Sequence, residues 1–309
     1  MTVSKRQRTM TEVSGWYARG LAMGIADMVP GISGGTLALI MGIYARLIAA
    51  LASFRLSLLP LLARGRVAEA WRRIDGNFLA TLLAGILTSI ALMSHLVTWM
   101  LEEAPVVLWG IFLGILLLAL GGICRRVSWH GNALLAALAG AAVAMTTVIA
   151  GGIAVEATPL WMFFGGMIAI TAMILPGISG TLLLLLLGLY APAVEAVREA
   201  DWVLLALFAS GCLTGVLVFS RLLHWIMQNY SNLALAGMSG IVVGALPRLW
   251  PWQYEPAAAA LQVRWPDSGT DLLAGLLACA AGAGLYLLIG WWHRRRVGGN
   301  TASGYSEAP

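Results

Sequence analysis

Residues 20–44 read GLAMGIADMVPGISGGTLALIMGIY, and residues 166–190 read GMIAITAMILPGISGTLLLLLLGLY. Placing Pro30 on Pro176, an offset of 146 residues, also superposes Gly20 on Gly166, Ala26 on Ala172, Gly31 on Gly177, Ile32 on Ile178, Ser33 on Ser179, Gly34 on Gly180, Gly42 on Gly188 and Tyr44 on Tyr190 without a gap. One chain carries the same module twice. Proline lacks an amide hydrogen and biases the residue before it, Val29 in the first copy, away from the α region, so a helix reaching this point breaks. Gly31, Gly34 and Gly35 tolerate the backbone angles of a break, and Ser33 is positioned to cap a helix that restarts behind it. Amides exposed at such a restart, with the helix dipole behind them, favour an anion.

The surroundings are apolar. A chain of 309 residues that is 60% hydrophobic and 11% charged, with mean hydropathy +0.85, belongs in a bilayer. A net charge of +5 and a pI near 9.4 would suit nucleic acid in a soluble protein. In a membrane protein the placement of charge reports topology instead, and no nucleic-acid partner is expected. Cys124, Cys212 and Cys279 are isolated and odd in number, so neither a disulfide framework nor a metal-ligand spacing is present, and nothing implies a cofactor. The apolar run after the basic N-terminus enters the Pro-Gly break without a convincing cleavage site, so the N-terminus is expected to be retained.

Taken in order, residues 1–14, with Lys5, Arg6 and Arg8, read as a disordered cytoplasmic tail. The segment 15–50 is too long for one crossing, since at about 1.5 Å per residue it would reach roughly 55 Å against a hydrocarbon core of about 30 Å. Split at the Pro-Gly break, it becomes a re-entrant hairpin, with irregular backbone tolerated at depth where it is buried in protein or lines a cavity. Residues 53–76 form a basic amphipathic connector at the cytoplasmic surface, and spans are expected over 77–99, 106–123 and 132–153, completing a first repeat over 15–153. A second repeat, 160–292, holds a hairpin at 160–190 and spans over 202–225, 233–248 and 271–292; the tail 297–309 reads as disordered.

This arrangement puts all but three of the nineteen Lys and Arg residues on one face, the exceptions being Arg198, Arg248 and Arg264, and makes that face cytoplasmic with both termini on it. Three spans per half is an odd number, so the second half is inverted. The expected fold is an all-α polytopic membrane protein with an inverted repeat, each half one re-entrant helical hairpin plus three transmembrane helices. Inverted repeats whose broken helices meet near the midplane are common among secondary transporters.

Two breaks in register favour a substrate site over two incidental helix breakers. Its candidates are Ser33, Gly34, Gly35 and Thr36 from one tip and Ser179, Gly180 and Thr181 from the other; hydroxyls and amides suit a phosphate without the permanent trap that buried arginines would make. Asp27 is the carboxylate at membrane depth, with Met173 as its mate in the second copy. Two roles stand level for it, carrying a coupling proton or capping amides of the hairpin tip. Arg19 and Arg46 flank the first hairpin, as contacts for a lipid phosphate or as snorkelling anchors. Tyr44, Tyr190, Trp99, Trp109 and Trp250 read as interface anchors, and Gly42 and Gly188 as small residues for close helix packing.

At MGIADMVPGISGGTLALIMGIY and AMILPGISGTLLLLLLGLY the chain resembles the bacterial polyprenyl-phosphate transporter family, formerly a membrane family of unknown function, and the resemblance covers roughly residues 15–295. It implies transport of undecaprenyl phosphate, the carrier lipid of peptidoglycan and other envelope polymers, from the outer to the inner leaflet of the bacterial cytoplasmic membrane. Phosphate, lipid and direction come from that resemblance; the residues alone point to a twofold anion site. The driving ion, proton or sodium, and the oligomeric state are open.

Two other classes compete. A small-anion channel or carrier would use the same amides. Membrane phosphatases acting on undecaprenyl pyrophosphate also have re-entrant hairpins with a Pro-Gly-X-Ser motif, but that chemistry needs a cation on the phosphoryl oxygens and an acid/base partner. In that family arginine follows the serine, whereas here Gly34 and Gly180 follow, so an enzyme is not expected.

Overall fold

Apolar runs bounded by serine, threonine, aspartate and proline caps form helices along the chain, of which the computed structural model describes residues 2–28, 33–149, 155–253 and 263–298. The first half contains α1 (Thr2–Asp27), α2 (Gly34–Ile40), α3 (Tyr44–Ala52), α4 (Leu59–Ala63), α5 (Val67–Arg73), α6 (Gly76–Glu103), α7 (Pro105–Cys124) and α8 (Gly131–Ile149). The second contains α9 (Pro159–Ile174), α10 (Gly180–Leu186), α11 (Tyr190–Arg198), α12 (Trp202–Asn229), α13 (Ser231–Ala245) and α14 (Gly269–Gly298). Caps fix several starts. Thr158 accepts the amide of Trp161 with Pro159 in the first turn of α9, and Asp201 accepts the amides of Val203 and Leu204 at the start of α12.

The protein is an all-α, multi-pass membrane protein. Among the described residues, five helices are long and apolar enough to cross a bilayer: α6, α7, α12, α13 with the 3-10 turn that follows it, and α14. The bent pairs α2–α3 and α10–α11 would raise the number to seven if each were one span. Leucines along the long helices, such as Leu92, Leu135 and Leu277, stay exposed as lipid-facing side chains must. The stretch 1–14, expected as a disordered tail, is helical from Thr2 onward, because α1 continues without interruption into it. The expected disordered tail 297–309 lies almost wholly outside the described residues.

The two halves repeat their elements. α2 and α10 have seven residues each, α3 and α11 nine, α6 and α12 twenty-eight. Even the one-residue joints agree: Ala104 between α6 and α7 has φ −139°, ψ 45°, and Tyr230 between α12 and α13 has φ −135°, ψ 45°. The connector with α4 and α5 is the insertion that sets the halves apart. Its Leu59, Leu62 and Trp71 are exposed.

Packing is partly within and partly across halves. α1 lies along α6 and, equivalently, α9 along α12; the other two close pairs cross over, α7 with α14 and α8 with α13. Small residues permit each approach. A Cβ on Gly114 of α7 would collide with the Cys279 carbonyl of α14, and one on Gly240 of α13 with the Ala137 carbonyl of α8. Two of the four close pairs thus join one half to the other.

Candidate functional site

In the second copy the break is visible in full. Leu175, before Pro176, is extended at φ −72°, ψ 128°, as proline requires of its predecessor. Gly177 sits at φ +84°, a left-handed angle that glycine adopts without a steric cost. Ser179 then caps α10, its hydroxyl 3.4 Å from the Leu182 amide and 2.8 Å from the Thr181 hydroxyl. In the first copy Pro30, Gly31 and Ile32 lie outside the described residues, but the restart is clear: Ser33, at φ −123°, ψ 134°, accepts the Gly35 amide at 3.1 Å and caps α2.

A second bend, absent from the sequence reading, follows each short helix. α2 turns by 119° into α3 and α10 by 103° into α11. The amide of Ile43 bonds to the Ala38 carbonyl at 3.0 Å and that of Leu189 to the Leu184 carbonyl at 2.9 Å, while Gly42 and Gly188 sit at φ +72° and +70°. This is the Schellman ending of a helix, and it corrects the assignment of these glycines to close packing. A Cβ at Gly42 would meet nothing within 4 Å.

The two tips meet. The Ser33 hydroxyl donates to the Met173 carbonyl at 2.9 Å, the Thr36 hydroxyl accepts the Gly177 amide at 2.7 Å, and the Tyr44 hydroxyl donates to the Ile174 carbonyl at 3.0 Å. A Cβ at Gly35 would come within 2.8 Å of the Met173 carbonyl and 2.9 Å of that of Ile174, so glycine is what lets the tips touch. Ser33 and Thr36, at 1% and 2% exposure, are thereby committed to the other half. Ser179 and Gly180 are buried as well, whereas Thr181 is exposed.

The tips differ in charge. The Gly34 amide at the head of α2 donates to the Asp27 carboxylate at 2.6 Å, so the first tip already holds an anion of its own. At the second tip the equivalent residue is Met173, 37% exposed, and among the described residues no side-chain anion caps α10. Of the two roles open to Asp27, capping is the one the geometry displays. Arg46 does not approach the tips. It forms a two-pronged ion pair with Asp75 and lies 4.4 Å over the ring centres of both Trp16 and Phe78. Arg19 is half-buried on α1, two turns before Asp27.

Several residues sit elsewhere than their sequence context suggests. Tyr44 and Trp109, read as interface anchors, are buried at 2% and 1% exposure; Trp109 shares an apolar cluster with Ala26, Val242 and Leu249. Arg248, read as a charge at the outer surface, is 4% exposed within the 3-10 turn Leu246–Leu249. That turn's Leu246 and Leu249 belong to the same cluster as Met28 at the end of α1, and the Gln253 side chain donates to the Arg248 and Trp250 carbonyls to close it. Pro247 before Arg248 and the run Trp250-Pro251-Trp252 after it were the available sequence signal.

Among the described residues, the Ser179 hydroxyl meets the Leu182 amide and the Thr181 hydroxyl. A family model described as undecaprenyl phosphate translocase-like matches residues 23–263. The chain belongs to that family. A polyprenyl-phosphate transporter of Vibrio cholerae serotype O1 is 40% identical over 247 residues, 80% of each chain. A polyprenyl-phosphate transporter of Staphylococcus aureus is 28% identical over 263 residues, 75% of this chain and 84% of its own. No solved structure matches significantly. The match to the translocase-like family spans both tips, the connector and the crossed-over helices α7, α8 and α13.

Proposed function

We propose that this protein carries polyprenyl phosphate, in particular undecaprenyl phosphate, from the outer to the inner leaflet of the bacterial cytoplasmic membrane, returning the carrier lipid to envelope-polymer synthesis. The names of its relatives support the substrate, and the charge distribution supports cytoplasmic termini. A lipid phosphate cannot cross hydrocarbon unaided while its tail is at home there, so the protein need shelter only the headgroup.

The observation that carries this reading is the inequality of the two tips: one helix start is capped by Asp27, while its copy presents Ser179, Gly180 and the exposed Thr181 with no anion before them. In this reading the phosphate enters at the second tip. It reaches Ser33, Gly34, Gly35 and Thr36 as the two inverted halves rock against each other, and there it competes with the Asp27 carboxylate for the Gly34 amide. Two anions cannot share one amide, so a proton taken up by Asp27 releases the amide and couples transport to the proton gradient. Arg19 is the nearest cation on α1 to receive the departing phosphate, while Arg46 serves as an anchor.

The test uses liposomes holding the purified protein and a short-chain polyprenyl monophosphate, with an impermeant phosphatase outside. Wild type is expected to expose all of the lipid to the phosphatase, and Ser179→Ala/Thr181→Val to leave the inner-leaflet pool protected. Protection with wild type under every proton and sodium gradient tried would sink lipid translocation and leave a carrier of small inorganic anions, readable as phosphate flux. Release of inorganic phosphate from undecaprenyl pyrophosphate would point to the phosphatase class.

A further inference from the structure

Beside the second tip lies an apolar groove of about 220 Å³, walled by Met162 of α9, Leu184 of α10, Tyr190, Ala193 and Val197 of α11 and Phe208 of α12. Its floor is closed, with Met162 at 0% and Leu184 at 7% exposure, and its rim is open, with Tyr190 at 40% and Val197 at 65%. The fold does not require this opening. In the first half the position of Met162 is taken by Trp16, whose ring meets Phe78 edge-on at 5.7 Å beneath the Arg46 guanidinium, and Tyr44 and Ile48 are buried there. α3 is also covered by α12, through Leu223 and its neighbours.

We propose that this groove receives the first isoprene units of the lipid whose phosphate is held at the second tip, and so selects for a polyprenyl chain. The inference rests on the proposed function. Walls without charge, in a membrane protein, admit hydrocarbon. Leu184 stands three residues from Thr181, about 4.5 Å along the axis, so a phosphate held at Thr181 brings the first carbons of its own tail to the groove mouth. Chains of neighbouring bilayer lipids lack that tether and compete at a disadvantage. The methyl branches of an isoprenoid fill a wide, shallow apolar bowl better than a straight chain does.

The experiment measures binding of farnesyl monophosphate and of a straight-chain alkyl monophosphate of the same carbon number to the full-length protein in nanodiscs, for wild type, Ala193→Trp and Val197→Trp. Wild type should prefer the isoprenoid by about tenfold, the worth of a few buried methyl groups, and either tryptophan should abolish that preference while the alkyl phosphate still binds. Val197→Trp, at the exposed rim, carries the test if Ala193→Trp fails to fold. Equal binding of the two lipids by wild type, unchanged in the variants, overturns the groove assignment and leaves the transporter reading standing. Binding of neither lipid by wild type overturns both. A change in particle mass in the tryptophan variants assigns the groove to a second copy of the chain and likewise overturns the tail assignment.

Discussion

Tyr44 and Tyr190 stand at the same place in the two copies of one motif, yet the first is 2% exposed and bonded to Ile174 across the halves while the second is 40% exposed beside a groove. The contrast extends along both hairpins. α2 and α3 are held by Asp27 at the tip, by α12 along the side, by Arg46 and Asp75 at the far end, and by Arg221, which donates to the Phe54 carbonyl. α10 and α11 have the same lengths, caps and bends with few of those restraints. A duplicated sequence thus supplies two copies of a shape, and Asp27 within the motif, together with residues outside it, decides which copy is held and which stays exposed.

The comparison breaks most readily at Gly35. Gly35→Ala is expected to force the tips apart and cost about 3 kcal/mol, the upper end for overpacking, whereas Gly42→Ala meets open space and costs only the left-handed strain of roughly 1–2 kcal/mol. Denaturation in mixed micelles measures both, and equal losses would mean that the tips do not touch. Next in size is the threonine pair. Thr36→Val leaves the partly buried Gly177 amide without its acceptor and should lower stability by about 1–2 kcal/mol. Thr181→Val should leave stability within about 0.5 kcal/mol while slowing lipid transport about tenfold, the worth of one hydrogen bond to a charged group. If the two variants exchange phenotypes, the fixed and open hairpins have been assigned the wrong way round.

A smaller effect separates the tyrosines. Tyr44→Phe removes the donor to Ile174 and should cost about 1 kcal/mol, and Tyr190→Phe should cost nothing measurable in the same assay. Smallest of all is the exposed clamp: Asp75→Asn, which suits the left-handed backbone there, should cost about 0.5 kcal/mol and lose even that at high salt, leaving Arg46 over Trp16 and Phe78. A salt-insensitive loss well above 1 kcal/mol would show that the clamp, more than the tip, fixes the first hairpin.

How much of this was legible in the sequence follows from the range of the interactions. Proline acts on its immediate neighbour, so the break at Pro176 and the extended Leu175 could be read directly. Helix positions followed from long apolar runs, and the serine caps from their place behind the break. The bends at Gly42 and Gly188 were not legible, because a glycine in an apolar run suits both close packing and a Schellman ending; a bond from Ile43 back to Ala38 decides between them. Trp109 and Arg248 were placed at the membrane surface by their nearness to helix ends. What buries them is the crossing over of helices from opposite halves, a long-range arrangement that leaves no local pattern. Asp27 lay between: capping of a hairpin-tip amide was one of two roles its position allowed, and the bond from Gly34 displays it.

The crossing over also sets a timetable for synthesis. The small-residue face of α7, built on Gly110 and Gly114, finds its match only in α14, where Gly275 and Gly282 approach it. At translation rates of roughly 5–20 residues per second, α7 waits on the order of 10–30 s in the bilayer for the last helix to emerge. Until then a surface shaped for a helix is offered to lipid, or to any insertion factor able to shield it. A chain ending before Gly269 never leaves that waiting state, which makes the final helix, far in sequence from either tip, the step that completes the molecule.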